Sequence, residues 1–134
     1  MSRASFGSRG LRVAPALAYC SGIFYGGVID IGRLPQTPAV PADKLLHALV
    51  FLVFEWLLEL ALLELRPGLR RFAAVTFAAL VGLGLELVQA ALPHRAAEGW
   101  DFVADSVGAL LGALLLAVGS RLLSARARLR ESSS

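Results

Sequence analysis

Long runs of leucine, alanine, valine and phenylalanine alternate with short polar breaks along this chain. Four runs, at about 11–31, 44–64, 72–92 and 102–122, approach the ~20 residues a helix needs to cross a bilayer. Leucine and alanine favour helix, and the runs lack the period-two alternation of a half-buried strand. A membrane barrel, built from alternating segments of about ten residues, does not fit. The breaks carry helix breakers. Pro35, Pro38 and Pro41 fall between the first two runs, Pro67 and Gly68 follow Arg66, Pro93 ends the third run, and Gly99 precedes the fourth. The pattern predicts an all-α fold: a polytopic membrane protein with four transmembrane helices packed as a bundle. Residues 11–123 would form that bundle, between a basic arm over 1–10 and a basic polar tail over 124–134 that is expected to fray.

Composition sharpens this picture. Of 134 residues, 57% are apolar and 17% charged, with a mean hydropathy of +0.68. So few charges cannot cover the surface of a small water-soluble domain, and so much apolar character excludes disorder. The net charge of +3 comes from thirteen basic residues, twelve of them arginine. They cluster between the runs rather than forming a stripe, which argues against a nucleic-acid partner. Ten of them lie in the N-terminal arm, the middle loop (Arg66, Arg70, Arg71) and the C-terminal end. By the positive-inside rule, both termini and the middle loop are expected in the cytoplasm and the other two loops outside. The apolar start is not expected to be a cleaved leader, because Asp30 and Arg33 sit where cleavage would fall and Tyr19 spoils a lipoprotein box before Cys20. The lone Cys20 excludes an internal disulfide and any multi-cysteine metal site.

Within the runs, the polar residues are spaced for single helix faces. Asp43 and His47 are four apart, Glu86 and Gln89 three apart, and Asp101 and Asp105 four apart, with Gly108 and Gly112 continuing the last face. With about 1.5 Å rise per residue, His47, Gln89 and Asp105 fall roughly 10 Å outside the midplane and Glu86 roughly 6 Å. Three helices thus bring polar side chains to one level, below Pro93-His94-Arg95. Intramembrane ionisable groups are costly and usually face a functional interior. The candidate polar pocket is therefore Asp43, Lys44, His47, Glu86, Gln89, Arg95, Asp101 and Asp105. The plainer alternative is that these groups only hydrogen-bond helices together, and Gly108 and Gly112 read as close-packing positions. No ligand set is diagnostic of a metal, and neither a metal nor a cofactor is expected. Glu55 lies near the midplane, turned about 80° from His47 around the helix, with no partner evident in the sequence. Glu59 and Glu64 lie closer to Arg66, Arg70 and Arg71 and are read as pairing with them or snorkelling to the cytoplasmic surface. Trp100 reads as an interfacial anchor and Trp56 as packing.

The set Asp43-Lys44-x-x-His47, Glu86-x-x-Gln89, Pro93-x-Arg95 and Asp101-x-x-x-Asp105-x-x-Gly108 resembles the VanZ-like family of small bacterial membrane proteins. The resemblance covers about 43–112 and departs at Asp105, where that family usually has asparagine. It implies a multi-pass protein of the bacterial inner membrane. It also implies a link to glycopeptide susceptibility, since the family's founding member is associated with low-level teicoplanin resistance.

Three functions remain open on the residues alone. The first is a pocket for a lipid or lipid-linked envelope-precursor headgroup, with Arg95 on a phosphate and His47 donating to it. The second is a membrane-embedded hydrolase or transferase acting on a lipid-linked phosphate, with His47 as base; no nucleophile motif accompanies it. The third is a structural or partner-binding module, including a homo-oligomer. Membrane lipids are the expected partners.

Overall fold

The computed structural model describes residues 3–29, 42–93 and 98–131. It is all-helical, with α1 (Arg3–Val28), α2 (Ala42–Ala61), α3 (Pro67–Ala90) and α4 (Gly99–Glu131). The breakers act where the sequence puts them. Pro67 opens α3 at a position whose N–H has no helical acceptor, behind Arg66 in extended backbone. Ala91 and Leu92 fold their N–H groups back onto Val88 and Gln89 just before Pro93. Two boundaries differ from expectation. Helix α1 already begins at Arg3, inside the expected arm, and α4 runs on to Glu131 through the tail expected to fray. Arg128 and Arg130 in the last turn of α4 face the negative end of its dipole, and the alternation of Ala, Leu and Arg before them favours helix.

α2 packs against all three other helices, most extensively against α4, whereas α1 and α4 do not pack together among the described residues. The apolar core is small: Phe51, Phe54 and Leu58 of α2 meet Ala74, Ala78, Val81 and Leu85 of α3, with Ala16 and Ile23 of α1 and Ala109 of α4. Tyr19 stacks on Phe54 at 6.1 Å, and Phe51 meets Phe54 edge-on at 6.0 Å. Small residues bring α4 onto α2. A Cβ on Gly108 would collide with the Ala48 carbonyl, and one on Gly112 would lie 2.9 Å from the Leu52 carbonyl oxygen.

The distribution of polarity is inverted relative to a water-soluble bundle. Leu80, Leu87, Leu110 and Leu114 point outward, while Glu55, Glu59, Glu86, Gln89 and Asp105 are buried. α3 and α4 are long and apolar enough to cross a membrane. α1 and α2 are less clearly so. In α2 the cause is Asp43, Lys44, Glu55 and Glu59, of which the two glutamates are turned inward.

Candidate functional site

The four-residue spacings of α2 and α4 meet face to face near the start of both helices. The Lys44 ammonium donates to Glu98 at 2.8 Å and to Asp101, and lies 3.4 Å from Asp43. Asp43, Glu98 and Asp101 each bring one carboxylate oxygen within 4.8 Å of the others, a grouping that asks for a cation. Lys44 contacts all three and supplies that charge. Asp101 sits in the first turn of α4, where its charge complements the helix dipole, and its N–H bonds the Glu98 carbonyl at 2.7 Å.

One turn deeper, Nδ1 of His47 lies 2.8 Å from Oδ1 of Asp105, and Nε2 lies 3.8 Å from Oδ2 of Asp101. Both ring nitrogens thus face carboxylates, which fixes the imidazole plane between α2 and α4. Asp105 is fully buried. Its second oxygen has no hydrogen-bond partner and rests over Gly82 of α3, where a Cβ would come to 2.9 Å. Glu86, one turn beyond Gly82, is buried, receives the Glu98 backbone N–H, and feels the charges of Asp101, Asp105 and His47.

The site therefore brings together Asp43, Lys44, His47, Glu86, Asp101 and Asp105. Gln89 is built in elsewhere: its amide donates to the Gly27 carbonyl of α1 at 3.1 Å, tying α3 to α1. Arg95 lies outside the described residues, as do Asp30, Arg33 and His94. Two contributors were not picked out from the sequence. Glu98 completes the ring around Lys44, and an acid three residues before Asp101 was its only sign. Gly82 makes room for Asp105; its sign was the small-residue run Ala78, Gly82 leading to Glu86 at helical spacing.

A second polar cluster occupies the other end of α2. Arg70 donates to Glu59 at 2.8 Å and Arg71 lies 3.4 Å away. Glu55, one turn before, is fully buried. Glu64 pairs with Arg9 at 2.8 Å and Arg12 at 3.3 Å rather than with the expected middle-loop arginines, because α1 passes its end of α2. Trp56 does more than pack: its indole N–H donates to the Gly112 carbonyl at 3.0 Å. Trp100 is exposed.

A family model described as VanZ/LLP1 matches residues 16–120. No curated protein and no solved structure matches the chain. The match takes in α2 and α3 whole and parts of α1 and α4, and with the two long apolar helices it indicates association with a membrane.

Proposed function

This chain belongs to the VanZ/LLP1 family, and from that premise we propose that it is a multi-pass protein of the bacterial inner membrane that binds a lipid or lipid-linked envelope-precursor headgroup at its outer face. Both termini and the Arg66–Arg71 turn lie in the cytoplasm on this reading, which follows from the arginine distribution. The pocket then opens outward, at the end of the bundle that holds Lys44.

The observation that carries the reading is the charge makeup of the Lys44 end. Five carboxylates, from Asp43, Glu86, Glu98, Asp101 and Asp105, surround one ammonium and one imidazole among the described residues. An acid excess facing the headgroup level suits the hydroxyls and ammonium of a headgroup. Lys44 suits its phosphate, and Arg95, three residues before Glu98 in the chain, is a second candidate cation for it. Glu98 is half-exposed, so the ring around Lys44 is open at its rim. Binding that withdraws Lys44 from the ring toward a phosphate frees the three carboxylates for the ligand's donors.

The test is native mass spectrometry of gently solubilised full chain, comparing lipids retained by wild type, Arg95→Ala and Asp101→Ala, together with teicoplanin susceptibility of cells expressing each. Selective loss of one headgroup class in the variants supports the reading. Unchanged retention and unchanged susceptibility would sink it. The His47–Asp105 couple also favours a second reading, a base and its orienter in a hydrolase or transferase, with Nδ1 held by Asp105 at 2.8 Å and Nε2 facing Asp101 at 3.8 Å, but no hydroxyl is seen bonded to the ring among the described residues. Headgroup turnover by purified protein, lost in His47→Ala, would move the balance to it.

A further inference from the structure

The second cluster holds a group that the headgroup pocket does not use. Glu55 has no exposed surface, and neither of its carboxylate oxygens has a hydrogen-bond partner among the described residues. Its carboxyl points across the helix interface at α4: a Cβ on Gly112 would lie 2.9 Å from Oε2. Phe51, Phe54 and Leu58 are its buried neighbours on α2. The charged groups facing it are Glu59 on the same helix and Arg70 and Arg71 on α3; from α4 it meets Gly112, and on the α1 side Tyr19 closes over Phe54. Both arginines are committed to Glu59.

An ionised carboxylate in this position would be a buried charge without a direct counter-ion, beside a second carboxylate that already holds the local cations. A carboxylic acid has no such difficulty. Its hydroxyl can donate to Glu59, the nearest strong acceptor on its own helix, one turn away. We propose that Glu55 and Glu59 form an intramembrane proton-binding site, in which Glu55 carries the proton and Glu59, paired with Arg70 and Arg71, accepts its hydrogen bond. On loading, one O–H bond forms on Glu55 and one breaks in a hydronium ion from solvent. The proton enters from the Arg70–Arg71 end, because Glu59 and its partly exposed arginines lie between Glu55 and that surface. Gly112 leaves space for the carboxyl and none for a hydration shell, so loss of the proton strains the contact between α2 and α4.

The site is tested by infrared spectroscopy of the full chain in lipid nanodiscs near neutral pH, with the glutamate side-chain carboxyls labelled with 13C. The expected result is a protonated-carboxyl carbonyl band that shifts with the label, disappears in Glu55→Gln and survives in Glu86→Gln. The isosteric Glu55→Gln protein should keep the wild-type unfolding midpoint, since a neutral group replaces a neutral group. Absence of any labelled protonated-carboxyl band in wild type overturns the proposal, as does a band that survives Glu55→Gln. Should Glu55→Gln fail to fold, Glu86→Gln decides: the band persisting supports the site, and its loss assigns the proton to Glu86.

Discussion

The two polar clusters on α2 are built from the same few residue types and balanced in different ways. At the Lys44 end, acids outnumber cations, and Glu86, Glu98, Asp101 and Asp105 each touch or face a charged group on another helix, while Asp43 lies beside Lys44 on its own helix. At the Glu59 end, two acids face two arginines, yet both arginines choose Glu59 and leave Glu55 with none. Equal charge count is thus no guide to local neutrality; the reach of each guanidinium decides. The Lys44 cluster is open at its rim and suited to exchange its contacts for a ligand's. The Glu59 cluster is closed and suited to hold something as small as a proton.

Substitutions can break or sharpen this contrast. The largest effect is expected from Asp105→Ala, which strands His47 and empties the space over Gly82; it should cost about 3 kcal/mol in unfolding experiments in detergent. Asp105→Asn keeps an acceptor for the imidazole and should recover most of that loss. Next comes Gly108→Ala, whose methyl meets the Ala48 carbonyl and pushes α4 off α2; about 2 kcal/mol is expected, and disturbance of both clusters at once distinguishes it from a local defect. Glu59→Gln weakens the hold on Arg70 and Arg71 and should cost about 1 kcal/mol, with Arg70→Ala in the same range; a larger loss from Glu55→Gln than from Glu59→Gln would erase the contrast drawn here. The smallest change is expected at Arg9→Ala, within about 0.5 kcal/mol of wild type, because its pair with Glu64 is exposed.

Much of the Lys44 cluster was legible in the sequence because helical spacing alone aligns Asp43 with His47 and Asp101 with Asp105. The order of those motifs also led to the family that residues 16–120 match. Partner choice was less legible. Glu86 and Gln89 share a helix face, yet the neighbouring helices divide them: α4 and Glu98 take Glu86, and the Gly27 carbonyl of α1 takes Gln89. Glu64 likewise found arginines more than fifty residues away rather than those nearby in sequence. Such selections depend on which helix crosses where, and periodicity carries no information about that. The helical tail was hidden for another reason: its arginines read as polar punctuation, although arginine is a good helix former and suits a C-terminal turn.

That α2 leans most heavily on α4 has a consequence for how the chain is made. Synthesis delivers α2 first, carrying Lys44, His47 and two glutamates, while Asp101, Asp105 and the glycines that seat them come more than forty residues later. A lipid bilayer offers the lone helix no substitute for those partners. On the proposed multi-pass reading, α2 would carry Lys44 and His47 into the membrane without their carboxylate partners until α4 is made. On that reading, α4 is the helix that allows α2 to stay.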